Sequence, residues 1–286
     1  MDVISHPSFA TLHAPESRGN DEHPGRLQSL LDRFPDHVVG DPAPRSRIEA
    51  VHSARYVDSI EAVSSEVWLD PDTYATATTW EAACLAAGCA VEAVSRGGFA
   101  LVRPPGHHAL ESAAMGFCIF ANIAIAARYA QLELGLERVA VVDFDVHHGN
   151  GTEALFAHDP SVLTVSLHQW PFWPGTGGPA SSTDGIVNIP LAAGSGDDVY
   201  RRAFDDVVEP AVRGFDPELV IVAAGFDAHR DDPLAEMEMS AEGFRDLARR
   251  SAGLAPRVAA VLEGGYNLDT LPDLVSAALA GFESAA

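Results

Sequence analysis

Lysine is absent from this sequence. All 18 basic residues among its 286 are arginine, against 41 Asp and Glu, and the formal net charge is −23. A surface of that sign repels a phosphate backbone, which argues against a nucleic-acid partner and favours cationic small molecules or basic peptides. The same composition also suits a high-salt cytoplasm or a GC-rich genome, so charge alone does not separate function from source.

Cysteine is scarce as well. Cys84, Cys89 and Cys118 are the only three and form no C-x-x-C pair, which argues against a disulfide framework and a cysteine zinc site and leaves three reduced thiols. No apolar run approaches the ~20 residues that span a bilayer, and no basic-then-apolar leader opens the chain. The expectation is a soluble cytoplasmic protein with no membrane partner. Neither linker nor repeat interrupts an apolar fraction of 47%, so one domain over residues 1–286 is expected. Oligomeric state is left open.

What is present is a series of short Val, Ile and Ala runs bounded by Gly, Pro or polar residues. Strands are expected at Phe99 to Val102, Val139 to Phe144, Val162 to Leu167, Ile186 to Ile189, Leu219 to Ala224 and Val258 to Leu262. Helical patterns cover Trp80 to Ser95, Phe117 to Leu134, Asp197 to Val212, Ala241 to Ala252 and Leu271 to Phe282. Apolar strands alternating with helices imply an α/β fold, three-layer α/β/α with a mostly parallel central sheet. Segments 13–26 and 166–184 are polar and rich in Gly and Pro, and read as loops around the mouth of a site.

Chemistry-bearing residues follow the strands. Val102 leads into Arg103-Pro-Pro-Gly-His-His108, Val142 into Asp143-Phe-Asp-Val-His-His148, Val165 into Ser166-Leu-His168, Ala224 into Gly225-Phe-Asp-Ala-His229, and Val261 into Leu262-Glu-Gly-Gly-Tyr266. Open α/β sheets bind ligands at the carboxyl ends of their strands.

In an extended segment Asp143, Asp145 and His147 share a face. Asp145 and His147, joined by Asp227 from a neighbouring strand end, make three ligands with a free fourth position, the form of a catalytic zinc site. Other divalent metals also accept oxygen and nitrogen ligands. A D-x-H triplet is more often a cap or a surface group, but carboxylates beside a Val and Phe strand are costly unless a cation compensates them. His107 and His108, after a Pro-Pro-Gly turn, are candidate general acid and base, with an ordinary pKa of ~6.5 near working pH. Tyr266, after two glycines, is placed to donate a hydrogen bond to a developing oxyanion.

At these residues the sequence resembles the histone deacetylases of the arginase/deacetylase superfamily, in particular the class II branch and its bacterial and archaeal relatives, including acetylpolyamine amidohydrolases. The matching motifs are Arg103-Pro-Pro-Gly-His-His-Ala109, Gly116-Phe-Cys118, Val142-Asp-Phe-Asp-Val-His-His-Gly-Asn-Gly151, Ser166-Leu-His168, Pro174-Gly-Thr-Gly177, Gly225-Phe-Asp-Ala228 and Glu263-Gly-Gly-Tyr-Asn267, with weaker similarity at Asp70-Pro-Asp-Thr73. The resemblance implies an arginase/deacetylase-like fold and a zinc-dependent amidohydrolase that removes acetyl or another short acyl group from an amine such as acetyl-lysine. It puts the zinc on Asp145, His147 and Asp227, and makes His108 general base and later general acid. His107 is then kept cationic by Asp143, and Tyr266 polarises the acyl carbonyl.

The resemblance also implies a substrate tunnel at Gly116, Phe117, Trp173 and Leu234. A potassium ion is implied beneath the zinc, on backbone oxygens of Asp143, Asp145 and His147 with Ser166 and Leu167. Departures from the family pattern are informative. Asn150 is the class II residue where class I carries Asp, Trp173 stands where Phe is usual, and Leu234 replaces the gatekeeper Glu of the polyamine-selective enzyme. In Asn20-Asp-Glu-His-Pro-Gly-Arg-Leu27 the usual opening His-Pro is replaced, and Arg26 falls where an arginine lines an internal path for acetate. The motifs follow the deacetylase pattern and not that of two-manganese ureohydrolases. An acetylpolyamine deacetylase and a non-catalytic acyl-ligand sensor stand as alternatives.

Overall fold

The computed structural model describes residues 1–15 and 19–285. The chain opens with β1 (Val3–Ser5), α1 (Gly25–Arg33), β2 (Val38–Val39), α2 (Arg45–Ile48) and α3 (Ala54–Glu61). A hairpin of β3 (Val67–Trp68) and β4 (Tyr74–Ala75) precedes α4 (Thr79–Arg96), β5 (Phe99–Ala100) and α5 (Asn122–Glu133). Next come β6 (Val139–Asp143), α6 (Asn150–Phe156), β7 (Val162–Gln169), β8 (Ile186–Leu191), α7 (Asp197–Ala203) and α8 (Glu209–Phe215). The last elements are β9 (Leu219–Ala224), α9 (Ala241–Ala252), β10 (Arg257–Leu262) and α10 (Leu271–Ser284).

Eight of these strands form one sheet in the order β2-β1-β5-β10-β9-β6-β7-β8, with every neighbouring pair parallel. The central strands β6 and β9 are buried at every residue, as an apolar run covered on both faces requires. Helix α4 lies against β10 and pairs with α5, while α9 lies against β9 and β10 and pairs with α10. Ser240 caps α9 by accepting the Gly243 N–H. No helix among the described residues is long and apolar enough to cross a membrane.

Parallel strands all point their carboxyl ends one way, so the segments after β5, β10, β9, β6 and β7 meet at one edge. The sheet order makes these five strands consecutive. The structure departs from the expected elements in several places. The helix expected from Phe117 begins only at Asn122, because Phe117 adopts a left-handed φ of 68° that a helix does not accept. The helix expected over 197–212 is interrupted by a π-helical turn at Phe204–Val208 and ends at Phe215. Strand β7 continues to Gln169, so the segment read as a loop from Ser166 begins as sheet. Before residue 79 the strands of two or three residues and the one-turn α2 are too short to show a period, and the two-turn helices α1 and α3 are not among the expected elements.

Among the described residues of segment 13–26 several polar side chains turn inward rather than to solvent, while Asn20 Nδ2 donates to the Asp72 carbonyl at 2.8 Å. His13, Glu22 and Arg26 are buried, and residues 16–18 lie outside the described residues. Glu22 accepts from Arg103 Nε at 2.9 Å and Nη2 at 2.8 Å, and lies 3.4 Å from Arg26 Nη1. Arg103 also donates to the carbonyls of Leu12 and His13 at 2.5 and 2.6 Å. Polar residues point inward here because they compensate two buried guanidiniums.

Burial opposes ionisation of Glu22, but Arg103, then His13 and Arg26, hold its pKa at about 2 instead of 4.5. Glu22→Gln is expected to destabilise the fold by about 3–5 kcal/mol, since it leaves buried charge uncompensated. A thermal melt should show a fall of roughly 10 °C. The folded pKa is depressed, so this stabilisation is complete above the unfolded value and is lost as pH falls through about 2. The variant should lack that part of the acid dependence; an unchanged melting curve would refute the assignment.

Candidate active site

Asp143 is the last residue of β6, and the chain beyond it bends instead of staying extended as the i, i+2, i+4 reading assumed. The reason is local. The Asp145 N–H donates to Asp143 Oδ1 at 3.0 Å and the His147 N–H to Asp145 Oδ1 at 2.9 Å, two side-chain turns that replace the sheet ladder. The bend still gathers the three expected ligands. His147 Nδ1 lies 3.3 Å from Asp145 Oδ1 and 3.1 Å from Asp227 Oδ2, and one candidate atom from each of the three residues lies within 4.8 Å of the others.

The carboxylates are held from behind. Asp227 Oδ1 accepts the Val146 N–H at 2.9 Å, and Asp145 Oδ2 accepts the Gly264 N–H at 2.7 Å. Asp145 and Asp227 are wholly buried and His147 nearly so. Burial and then the neighbouring Asp145 charge raise the Asp227 pKa; Asp145 itself, despite burial, is held well down by His107 and His147. Adjacent buried carboxylates of this kind are stable beside a cation. The donor set of two carboxylates and one imidazole fits a divalent ion such as zinc.

His107 and His108 stand side by side with ring centroids 3.9 Å apart and take opposite protonation preferences. His107 Nδ1 meets Asp143 Oδ2 at 3.0 Å; burial lowers its pKa, but the Asp145 and Asp143 charges outweigh burial and raise it well above the ordinary value. His108 Nδ1 meets Asn150 Oδ1 at 2.7 Å, and burial, then the charges of His107 and His147, push its pKa well below. Their surroundings thus favour the cationic form of His107 and the neutral form of His108. With Nδ1–H donated to Asn150, the free lone pair of His108 is on Nε2.

Tyr266 is set by three contacts. Its N–H donates to Asp232 Oδ2 at 2.7 Å, its ring meets Phe117 edge-on at 5.6 Å, and the Arg26 guanidinium lies 4.7 Å from its centroid. Arg26 also donates to the carbonyls of Gly265 and Glu263 at 2.7 and 2.6 Å. Burial raises the phenol pKa well above the ordinary value, with Arg26 opposing, so the hydroxyl keeps its proton.

Of these groups, His108, His147, Phe117 and Tyr266 line a pocket of about 220 Å3, together with Asp72, Gly116, Phe172, Trp173 and Leu234. All four residues expected along the tunnel are on its wall. Gly116 has a φ of 56°, and an added Cβ would sit 2.4 Å from the Trp173 ring, so only glycine lets the indole lie so close. Of the backbone set expected around a potassium ion, Ser166 pairs with Asp143 in the β6–β7 register and Leu167 follows it, buried.

Sequence reasoning missed Asp72, Phe172, Asp232 and Glu263 as site residues. Asp72 and Glu263 lie within motifs already singled out and Phe172 adjoins one, so the motifs themselves were the available signal. Glu263 is wholly buried, accepts the Gly106 and His107 N–H groups at 2.7 and 3.1 Å on Oε2, and has a pKa pushed up to about 7, chiefly by burial. It thereby holds the turn that aims the paired histidines. With Cys118 and His107 it forms a second buried cluster.

The profile of the histone deacetylase domain matches residues 20–282. The chain is 42% identical over 265 residues to "Histone deacetylase 10, chloroplastic" of Oryza sativa subsp. japonica, covering 82% of this chain and 60% of that protein. It is 40% identical to a "Probable deacetylase" of Methanothermobacter thermautotrophicus, covering 95% of this chain and 87% of that one. It is 39% identical to the "Histone deacetylase-like amidohydrolase" of Pseudomonas aeruginosa, over 94% and 78%. The chain thus spans about three fifths of the length of the rice protein and most of the two prokaryotic ones. A crystal structure of the HDA15 HD domain superposes with a TM-score of 0.92 at 32% identity, over 99% of this chain and 90% of that one. With its parallel sheet of the arginase/deacetylase type, the chain belongs to the histone deacetylase family.

Proposed function

We propose that the chain is a zinc-dependent deacetylase that hydrolyses the amide of an N-acetylated, or other short-acyl, cationic amine such as acetyl-lysine. The observation that carries this reading is the clustering of the Asp145, His147 and Asp227 donors, of which His147 lines one pocket together with His108 and Tyr266; burial favours the neutral form of both His108 and Tyr266. A divalent ion on those donors supplies Lewis acidity to the acyl carbonyl and lowers the pKa of water from 15.7 to roughly 7.

The protein's own groups do the rest. His108 Nε2 takes the proton of the attacking water and afterwards gives it to the departing amine. Tyr266 donates its hydroxyl hydrogen to the oxyanion as negative charge develops. His107, kept positive by Asp145 and Asp143, stabilises that charge through space. Phe117, Phe172 and Trp173 enclose the acyl-amine stem and exclude water.

Potassium on the Asp143, Asp145, His147, Ser166 and Leu167 backbone is proposed with zinc, as are a cytoplasmic location and one catalytic unit over residues 1–286. A second reading, acetylpolyamine deacetylation, is favoured by Asp72, a half-buried carboxyl on the pocket wall that suits a second ammonium. The non-catalytic sensor is disfavoured by the completeness of the reacting set.

Wild-type protein should hydrolyse at least one member of a panel of acetyl-lysine peptides, acetylputrescine and acetylspermidine. Chelation should abolish the activity and added zinc restore it. Side-by-side kcat/KM values choose between peptide and polyamine. A chain with one zinc bound that hydrolyses no acylated amine would be a sensor.

A further inference from the structure

The wall of the pocket formed by Phe172 and Trp173 belongs to a loop, residues 170–178, whose footing is unusual. At its near end the Trp170 N–H donates to the Leu191 carbonyl of β8 at 2.7 Å. At its far end Gly177, with a φ of 74°, sits between two buried imidazoles. A Cβ added there would lie 2.6 Å from His148 Cδ2 and 2.6 Å from His168 Nε2.

Both rings also hold the loop by hydrogen bonds. His168 Nε2 donates to the Gly177 carbonyl at 2.8 Å while its Nδ1 accepts from Ser166 Oγ at 3.0 Å. His148 Nδ1 meets Thr176 Oγ1 at 2.8 Å and its Nε2 meets Glu153 Oε2 at 2.9 Å. The rings are 4.7 Å apart. Burial, then the His148 charge, lowers the His168 pKa to about 4, which agrees with the single neutral tautomer these partners require.

Between these anchors Phe172 and Trp173 line the pocket. Phe172 stacks on His147 at 5.3 Å, and Trp173 meets His108 edge-on at 4.7 Å with its ring against Gly116. A displacement at Gly177 is therefore transmitted along a short, twice-anchored segment to the gap between Trp173 and Gly116.

We propose that His148, Gly177 and His168 form a clamp that sets how far Trp173 stands from Gly116, and thereby selects the size of the acyl-amine stem admitted. His168 and Gly177 are positioning residues acting through Phe172 and Trp173. The proposal rests on the deacylase reading for its substrates but not for its geometry.

The experiment compares Gly177→Ala, His168→Ala and His168→Gln with the wild type on acetyl- and butyryl-lysine peptides, and measures hydrogen exchange over residues 170–178. Gly177→Ala and His168→Ala should raise the butyryl-to-acetyl ratio of kcat/KM by about tenfold, the scale of methylene discrimination in a pocket. The change should lie mainly in KM, and exchange should quicken over 170–178 alone. His168→Gln, which can still donate to the Gly177 carbonyl, should restore the wild-type ratio.

Equal losses on both substrates, or an unchanged ratio in folded variants, overturn the proposal. If Gly177→Ala does not fold, His168→Ala decides. If the wild type hydrolyses neither peptide, the peptide-deacylase reading fails and hydrogen exchange judges the clamp. Exchange quickened only over 170–178 upholds it, and exchange that is unchanged or quickened throughout the chain overturns it.

Discussion

Tyr266→Phe is expected to lose roughly 10²–10³-fold in kcat, the cost of one donor to a developing oxyanion, while KM and bound metal stay near wild type. The separation follows from how the ring is held. Asp232 grips the backbone N–H, Arg26 lies against the ring and Phe117 meets its edge, and none of these contacts involves the hydroxyl. Phenylalanine should stand in the same place without the O–H. Steady-state kinetics with elemental analysis of the purified variant provide the check, and turnover within a few fold of wild type would remove Tyr266 from the reaction.

Asp227→Asn is expected to abolish metal retention and lower kcat/KM by about 10³-fold or more, because several kcal/mol of carbonyl polarisation leave with the ion. Asparagine is the sharper choice over alanine. Its amide oxygen can still accept the Val146 N–H, now made by Asp227 Oδ1 at 2.9 Å, so the local backbone keeps its partner while the charge goes. Wild-type protein stripped by a chelator should regain activity at a zinc concentration that leaves the variant inactive. A variant that binds one zinc per chain and turns over normally would show that the ion, if any, sits elsewhere.

The central sheet was legible because buried parallel strands are apolar along most of their length: β9 is so throughout, and β6 and β10 depart only at Asp143 and Arg257. The site was legible because the residues after those strands are chemically distinctive and share one edge of the sheet. What escaped were features that depend on tertiary contact. Glu22 and Arg26 look like solvated loop residues until Arg103 is seen beside Glu22. The bend at Asp145 arises from side chains accepting their own backbone, and no periodicity records it. The late start of α5 follows from a positive φ at Phe117, whose N–H donates to the Thr73 hydroxyl of a distant hairpin. Asp72 belongs to the same hairpin, too short to predict, yet it supplies the pocket with an acidic wall residue.

The parallel crossovers have a consequence for how the protein matures. His147 and Asp227 are separated by 80 residues of chain, with α6, β7, β8, α7, α8 and β9 intervening. A nascent polypeptide therefore holds only two of the three candidate metal donors until β9 has emerged and docked beside β6. Non-local pairings of this kind form late, so on the proposed metal reading an ion would be captured at the end of folding and would reward the completed topology rather than guide the chain toward it.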